Sequence, residues 1–350
     1  MMADREIDPQ LLLLRRQYLQ LFEPDFLAWP PAKFLNNADV QTWLYKHLFD
    51  PNGNPRLPPE KYQLEVLKHL IAKVKNTNMV PDENEVSNDL VARFTYLMSK
   101  GVPSEFLAMR EEAYVTFTCM SEDATSIRES GYASDPTITL LERRHLVTGS
   151  RVTGFRTWEA ALHLGSYFLT YPGSRHIRGK NVLELGAGTG LLTILSAKHI
   201  HANHVTSTDG EKGVIETLCE NLSLNGLNDP RKVGTGTLAW GQGLKGTWIE
   251  DDCEAHPYDL VVGADITYEK TAILALVSTL QSLFDMRPQL IVIISGVVRN
   301  AETFQIFRDE CVRNGFTVED IKFQPKPIRQ QSGLFYAAAV PIKILSITYP

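Results

Sequence analysis

The chain lacks any apolar run long enough to span a bilayer, any C-x-x-C pair, any internal repeat and any heptad pattern. The first absence excludes a membrane-spanning helix, and the last two exclude a solenoid or a coiled coil. Cysteine is scarce, with Cys119, Cys219, Cys253 and Cys311 scattered along 350 residues. That excludes a disulfide scaffold and a cysteine-based zinc site, and it fits a reducing compartment. No cluster of His, Asp and Glu shows metal-ligand spacing, so no metal is expected. Basic residues are not in excess: 35 Lys and Arg face 41 Asp and Glu, for a net charge of −6. The balance leans against nonspecific nucleic-acid binding. The opening Met1-Met2-Ala3-Asp4-Arg5-Glu6 is acidic rather than an export signal, so a cytoplasmic protein is expected.

What is present falls into two textures. Residues 7 to about 120 read as helices: Leu11, Leu14, Tyr18 and Phe22 recur at helical spacing, as do Val40, Trp43, Leu44 and His47. Tyr62–Val74 and Leu90–Met98 continue the pattern. Residues 121–136 turn polar and read as an exposed link. From about residue 150 the chain alternates strand and helix. Val182–Leu185, His204–Thr208, Val233–Ala239, Leu260–Ala264 and Leu290–Ser295 read as strands. Phe316–Phe323 and Leu334–Ile344 read as two last strands with no helix between them, paired antiparallel. The alternation predicts a largely parallel sheet with helices on both faces and a ligand at the strands' C-terminal ends. The expected layout is a helical domain over 1–125, a linker over 126–149 and an α/β domain over 150–350.

The most informative stretch is Val182-Leu183-Glu184-Leu185-Gly186-Ala187-Gly188-Thr189-Gly190, followed by the helix-like Leu191–His199. A strand runs into a turn with little side-chain bulk and then straight into a helix, which brings backbone N–H groups close to a small ligand. A dinucleotide site calls for G-x-G-x-x-G, and here the spacing is G-x-G-x-G. Glu184 is expected to aim a negative charge into the pocket, which suits an ammonium and repels a pyrophosphate. The reading is S-adenosylmethionine (AdoMet) rather than NAD.

Other residues join this turn. Asp209, about 20 positions on at the end of the second strand, is placed to accept both hydrogen bonds of a ribose diol, or else to cap the following helix. Trp240 closes the third strand where an adenine needs an apolar flank, and Trp158 precedes the first strand; either indole also suits core packing. The fourth strand delivers Asp265 and Tyr268 to the same edge, where a carboxylate and a phenol three residues apart can converge on an amine.

Taken together, Thr157-Trp158, the E-L-G-x-G-x-G turn, Asp209, Trp240 and Ala264-Asp265-Ile266-Thr267-Tyr268 resemble the seven-stranded class I methyltransferases. Within these they resemble the protein-lysine methyltransferases marked by D-x-x-Y after strand four, over residues 150–345. The resemblance implies a Rossmann-like seven-stranded sheet and AdoMet as methyl donor. It implies cofactor contacts at Trp158, Gly186, Ala187, Gly188, Asp209, Trp240 and Ala264, and catalytic roles for Asp265 and Tyr268. Leu11-Leu12-Leu13-Leu14-Arg15-Arg16-Gln17-Tyr18, Phe22-Glu23-Pro24 and Val298–Phe304 are similar to elongation factor 2 lysine methyltransferases. That likeness implies elongation factor 2 as substrate, methylated up to the trimethyl form. A monomer that engages neither nucleic acid nor membrane is expected besides. The helical domain then serves substrate recognition, with Trp29, Trp43 and Tyr45 as contributors or, alternatively, as core. The competing readings are a methyltransferase of another protein, a nucleic acid or a small molecule, and a non-catalytic AdoMet-binding adaptor. A base-amine methylase would carry an N-P-P-Y-like tetrapeptide where this chain has D-I-T-Y.

Overall fold

In a computed structural model, residues 7–75, 86–100, 112–121, 135–143 and 153–350 are described. They divide into two compact units, one formed by residues 1–118 with 128–147 and one by residues 119–127 with 148–350.

The first unit is built on helices α1 (Pro9–Leu19), α2 (Ala32–Leu35), α3 (Ala38–Leu44), α4 (Glu60–Lys75) and α5 (Asn88–Ser99). Asp8 caps α1 by accepting the Gln10 N–H at 2.8 Å, and Pro9 presets the first helical φ. Leu11, Leu14 and Tyr18 then fall on one face and bury against Leu44, Leu67, Leu70 and Leu90. Trp29, Trp43 and Tyr45 pack against this core, as their packing alternative has it. Two findings depart from a purely helical domain with a linker behind it. Strand β1 (Glu112–Thr118) pairs antiparallel with β2 (Thr137–Arg143), Val115 opposite Leu140 and Phe117 opposite Ile138. Both segments alternate in burial with period two, so they form a half-buried hairpin packed on α1. The expected linker thus supplies a strand of this unit; its residues 126–134 and 144–149 lie outside the described residues. Arg16 of α1 holds the start of β2 by a two-pronged ion pair to Asp135, both contacts at 2.8 Å.

The second unit holds helix α6 (Glu159–Phe168), short helix α7 (Tyr171–Ser174), β3 (Asn181–Leu185) and α8 (Leu191–Ile194), which runs on as a π-helical turn to His199. There follow β4 (His204–Asp209), α9 (Lys212–Leu224), β5 (Val233–Thr237), α10 (Trp248–Ala255), β6 (Leu260–Ala264) and α11 (Lys270–Met286). The chain ends with β7 (Ile291–Val297), α12 (Ala301–Arg313), β8 (Thr317–Ile321) and β9 (Ile342–Thr348). The strands form one seven-stranded sheet in the order β5-β4-β3-β6-β7-β9-β8, in which only β9 runs antiparallel to its neighbours. This is the expected Rossmann-like sheet. Its strand faces alternate strictly. Leu183, Leu185, Val261, Val292 and Ile294 turn to the core shared with α10, α11 and α12. The alternate positions turn to the other face, where Glu184 meets Thr193 of α8 and where α6 and α9 also lie.

The last strand lies further along the chain than Leu334–Ile344. Leu334, Phe335 and Tyr336 are buried, yet Leu334 has φ +46° and the segment makes no ladder. The Gln331 amide takes the place of a strand neighbour: its Oε1 accepts the Tyr336 N–H at 2.9 Å and its Nε2 donates to the Tyr336 C=O at 3.0 Å. Backbone satisfied by a side chain has no need of a sheet.

Candidate active site

The chain leaves β3 for β4 and β5 on one side, then returns to β6 on the other. Ligands of open α/β sheets bind at the C-terminal strand ends beside this reversal. A cavity of about 360 Å³ opens there. All nine residues singled out in the sequence line it: Trp158, Gly186, Ala187, Gly188, Asp209, Trp240, Ala264, Asp265 and Tyr268.

The glycine turn forms the cavity floor. Gly186 and Gly188 have φ of +65° and +54°, left-handed values that other residues adopt only with strain. A Cβ on Gly186 would sit 2.7 Å from the Ile266 side chain, and one on Gly188 would sit 3.2 Å from the Gly154 carbonyl oxygen. The missing side chains therefore let the backbone and its neighbours close together. The Thr157 and Thr189 hydroxyls, 2.7 Å apart, tie the segment before α6 to this turn.

Asp209 ends β4 with both oxygens engaged. Oδ2 accepts the Gly188 N–H at 3.1 Å and Oδ1 accepts the Glu211 N–H at 3.1 Å, next to the start of α9. The helix-capping alternative is not realised: Glu211 is the N-cap residue of α9, and no side chain caps the helix. A carboxylate has about four acceptor positions, so these bonds fix its plane and leave acceptor capacity for a diol. Burial raises its pKa, while the backbone N–H bonds pull the other way.

Glu184 departs from the sequence reading. It lines the cavity, but only 3% of it is exposed, and Thr193 Oγ1 donates to its Oε2. Burial pushes its carboxyl up to about 8, against the Thr193 bonds. Near neutrality it is largely the uncharged acid, which does not repel a pyrophosphate. The case against a dinucleotide therefore rests on the glycine spacing and not on this charge.

Asp265 follows β6 with φ +57°, a conformation that Asp tolerates better than most residues. Its Oδ1 accepts the Val297 N–H at 3.1 Å, and its Oδ2 lies 3.3 Å from the Arg299 guanidinium. Burial raises its pKa; the Val297 bond and Arg299 oppose the rise, and Glu159 adds to it. Tyr268 stands at the rim, 58% exposed. Trp158 donates its Nε1–H to the Thr153 C=O at 3.1 Å, and two guanidinium groups approach its ring, Arg156 at 4.9 Å and Arg299 at 5.3 Å. Trp240 is half-buried, packed on the sheet core and beside Gly186.

Arg156, Arg299 and the partnership of Glu184 with Thr193 were not singled out as site features. Arg299 had a signal: it lies just beyond β7, on the strand-end edge where ligands bind. The capture of Glu184 had none, because Thr193 reaches it from a different element.

Residues 145–308 match the family model described as lysine methyltransferase. The chain is 40% identical over 348 residues to protein-lysine N-methyltransferase EFM3 of Chaetomium thermophilum, covering 99% of both chains. It is 30% identical over 284 residues to protein-lysine N-methyltransferase EFM3 of Saccharomyces cerevisiae, covering 76% of this chain and 77% of that one. It is 28% identical over 345 residues to protein-lysine N-methyltransferase EEF2KMT of Homo sapiens, covering 94% and 96%.

Proposed function

The chain belongs to the lysine methyltransferase family and is a protein-lysine N-methyltransferase, and from that premise we propose that it binds AdoMet in the strand-end cavity and methylates one lysine of elongation factor 2, up to the trimethyl form. One observation carries the cofactor half of this reading. Asp209 and the glycine turn are locked together by the Gly188 N–H bond, at the edge where Asp265 also emerges.

The donor set fits AdoMet. The acceptor capacity left on Asp209 suits a ribose diol, and Leu238 with Trp240 offers an apolar flank for adenine. The Gly186–Gly188 backbone would approach the methionine portion, whose ammonium would meet Glu184. When bound, AdoMet supplies an electrophilic methyl group on a sulfonium.

The remaining task belongs to the protein. A lysine ammonium with pKa near 10.4 must shed its proton before its lone pair can attack. Asp265, fixed by Val297 and Arg299, accepts a hydrogen bond from the amine and holds the lone pair on line. Tyr268 at the rim walls the lysine channel.

Substrate choice rests on the first unit, over which the likeness to the relatives also extends. Among the described residues no helix is long and apolar enough to cross a membrane. Incubation with radiolabelled AdoMet and purified elongation factor 2, followed by peptide mapping, tests the proposal. Label on a single lysine of the factor is expected; label elsewhere or none at all removes this substrate.

A further inference from the structure

At the opposite edge of the sheet, three side chains from two elements converge. His204 is the first residue of β4, whereas Asp209 is its last. Asp252 and His256 lie one helical turn apart at the end of α10. One ligand atom from each of the three lies within 4.8 Å of the other two.

The hydrogen bonds around these groups fix what each can offer. His204 Nδ1 lies 3.0 Å from the Arg231 carbonyl oxygen, which can only accept. The proton is therefore on Nδ1, and Nε2 carries a bare lone pair. That Nε2 is buried without a hydrogen-bond partner, in a side chain only 2% exposed. Asp252 is oriented in the same fashion. Its Oδ2 accepts from the Thr206 hydroxyl at 2.6 Å and from the Tyr258 hydroxyl at 2.5 Å, leaving Oδ1 turned to the cluster. A carbonyl that sets a histidine's tautomer and hydroxyls that brace a carboxylate are the outer contacts that metal ligands require.

We propose that His204, Asp252 and His256 form a binding site for one divalent transition-metal ion of the zinc class. The ligands would be His204 Nε2, Asp252 Oδ1 and a ring nitrogen of His256, with water completing the tetrahedron. Two imidazoles and one carboxylate suit zinc and its first-row neighbours and not calcium or magnesium, which prefer all-oxygen sites. The His204 and His256 rings lie stacked, 3.7 Å apart and 5° from parallel. One ion cannot lie in both of two parallel planes, so binding turns one ring. His256, half-buried at the free end of α10, is the one that can turn. The ion would strap β4 to α10 far from the methyl-transfer cavity, so its role is structural.

The test uses the full-length protein, stripped with chelator, desalted and titrated with Zn²⁺ against a chromophoric competitor, with Co²⁺ as a spectroscopic probe. One equivalent of Zn²⁺ is expected, together with a Co²⁺ ligand-field band free of sulfur charge transfer. His256→Ala and Asp252→Asn should each weaken Zn²⁺ binding by tenfold or more. Tyr258→Phe should weaken it by about 10–100-fold through the outer contact, while Cys219→Ser changes nothing. His256→Ala removes a half-buried residue from a helix end, so far-UV circular dichroism of the metal-free variant should match the parent. Substoichiometric binding, or binding that His256→Ala and Asp252→Asn leave intact, overturns the proposal. A sulfur charge-transfer band lost in Cys219→Ser overturns it as well.

Discussion

The Arg299 guanidinium stands 3.3 Å from the Asp265 carboxylate and 5.3 Å from the centre of the Trp158 ring. One cation thus bridges the residue we assign to the acceptor lysine and one we assign to the cofactor. Asp265 is largely buried, and a buried carboxylate without a cation tends to take up a proton. Arg299 opposes that tendency and keeps the group ready to accept from an amine. The guanidinium is itself half-exposed, so it can yield when a substrate amine arrives.

Asp265→Ala should abolish methyl transfer and leave AdoMet affinity nearly unchanged. Arg299→Met keeps the bulk and removes the charge, so the Asp265 pKa should rise further. In the role we propose, Asp265 acts ionised, so the acid limb of kcat/KM should move to higher pH, with turnover at neutral pH lowered about 10–100-fold. Calorimetry and a pH–rate profile separate the two roles. Equal losses of binding and turnover in Asp265→Ala would move this residue to the cofactor, and an unshifted acid limb in Arg299→Met would end the tuning role.

Asp209→Ala removes the acceptor of the Gly188 N–H as well as the expected partners of the ribose. AdoMet affinity should fall by about 1–3 kcal/mol, or roughly 5–150-fold. Titration calorimetry reads this directly. Unchanged affinity would take Asp209 out of the site.

Contiguous signals were legible in the sequence, and signals assembled across elements were not. The glycine turn and the Asp265–Tyr268 pair sit at strand ends that apolar runs announce, Asp209 closes a strand placed between two helices, and all reach one cavity. Strands β3, β6 and β7 were countable because buried parallel strands read as short apolar runs; β4 and β5 carry Thr, Ser and Gly inside and stood out by their place in the strand–helix alternation. Strand β9 was displaced because apolar burial at Leu334–Tyr336 looks the same whether backbone groups are satisfied by a ladder or by Gln331. The hairpin of β1 and β2 carries the period-two alternation of Ala113, Val115 and Phe117, but helices precede it and its two arms are far apart in the chain. The neutral Glu184 and the His204–Asp252–His256 cluster depend on depth and on through-space neighbours, which residue order does not encode.

Burial of Glu184 makes stability depend on pH. Its carboxyl rises from an ordinary 4.5 to about 8 in the folded chain. Between those values the native state holds a proton that the unfolded state has released. Its share of stability is therefore full below about 4.5 and declines as pH climbs through 8, by roughly 3–5 kcal/mol. Glu184→Gln supplies a neutral group of the same shape and should flatten denaturant-unfolding stability between pH 5 and 8.5. If the AdoMet ammonium meets Glu184, binding near pH 7 should also release a proton. Calorimetry in buffers of different ionisation enthalpy would report that release, and its absence would remove the ammonium from Glu184.

A lysine channel recognises a side chain and its immediate flanks, and selecting one lysine of a large folded protein calls for added surface. The first unit offers such surface and has its own core. Trp29, Trp43 and Tyr45 belong largely to that core, so they are poor choices for contact with elongation factor 2. Phe26 is different: at 71% exposed it is an apolar ring in water on a single helical turn. A change there touches little of the fold and should alter stability by only about 0.5 kcal/mol. Phe26→Ser in the full chain should raise KM for elongation factor 2 several-fold, with kcat and AdoMet affinity unchanged. Residues 1–147, added as a separate fragment, should compete with the full chain for the factor. If the fragment folds but does not compete, and Phe26→Ser leaves KM unaltered, recognition does not reside in the first unit and must lie on the rim around Tyr268.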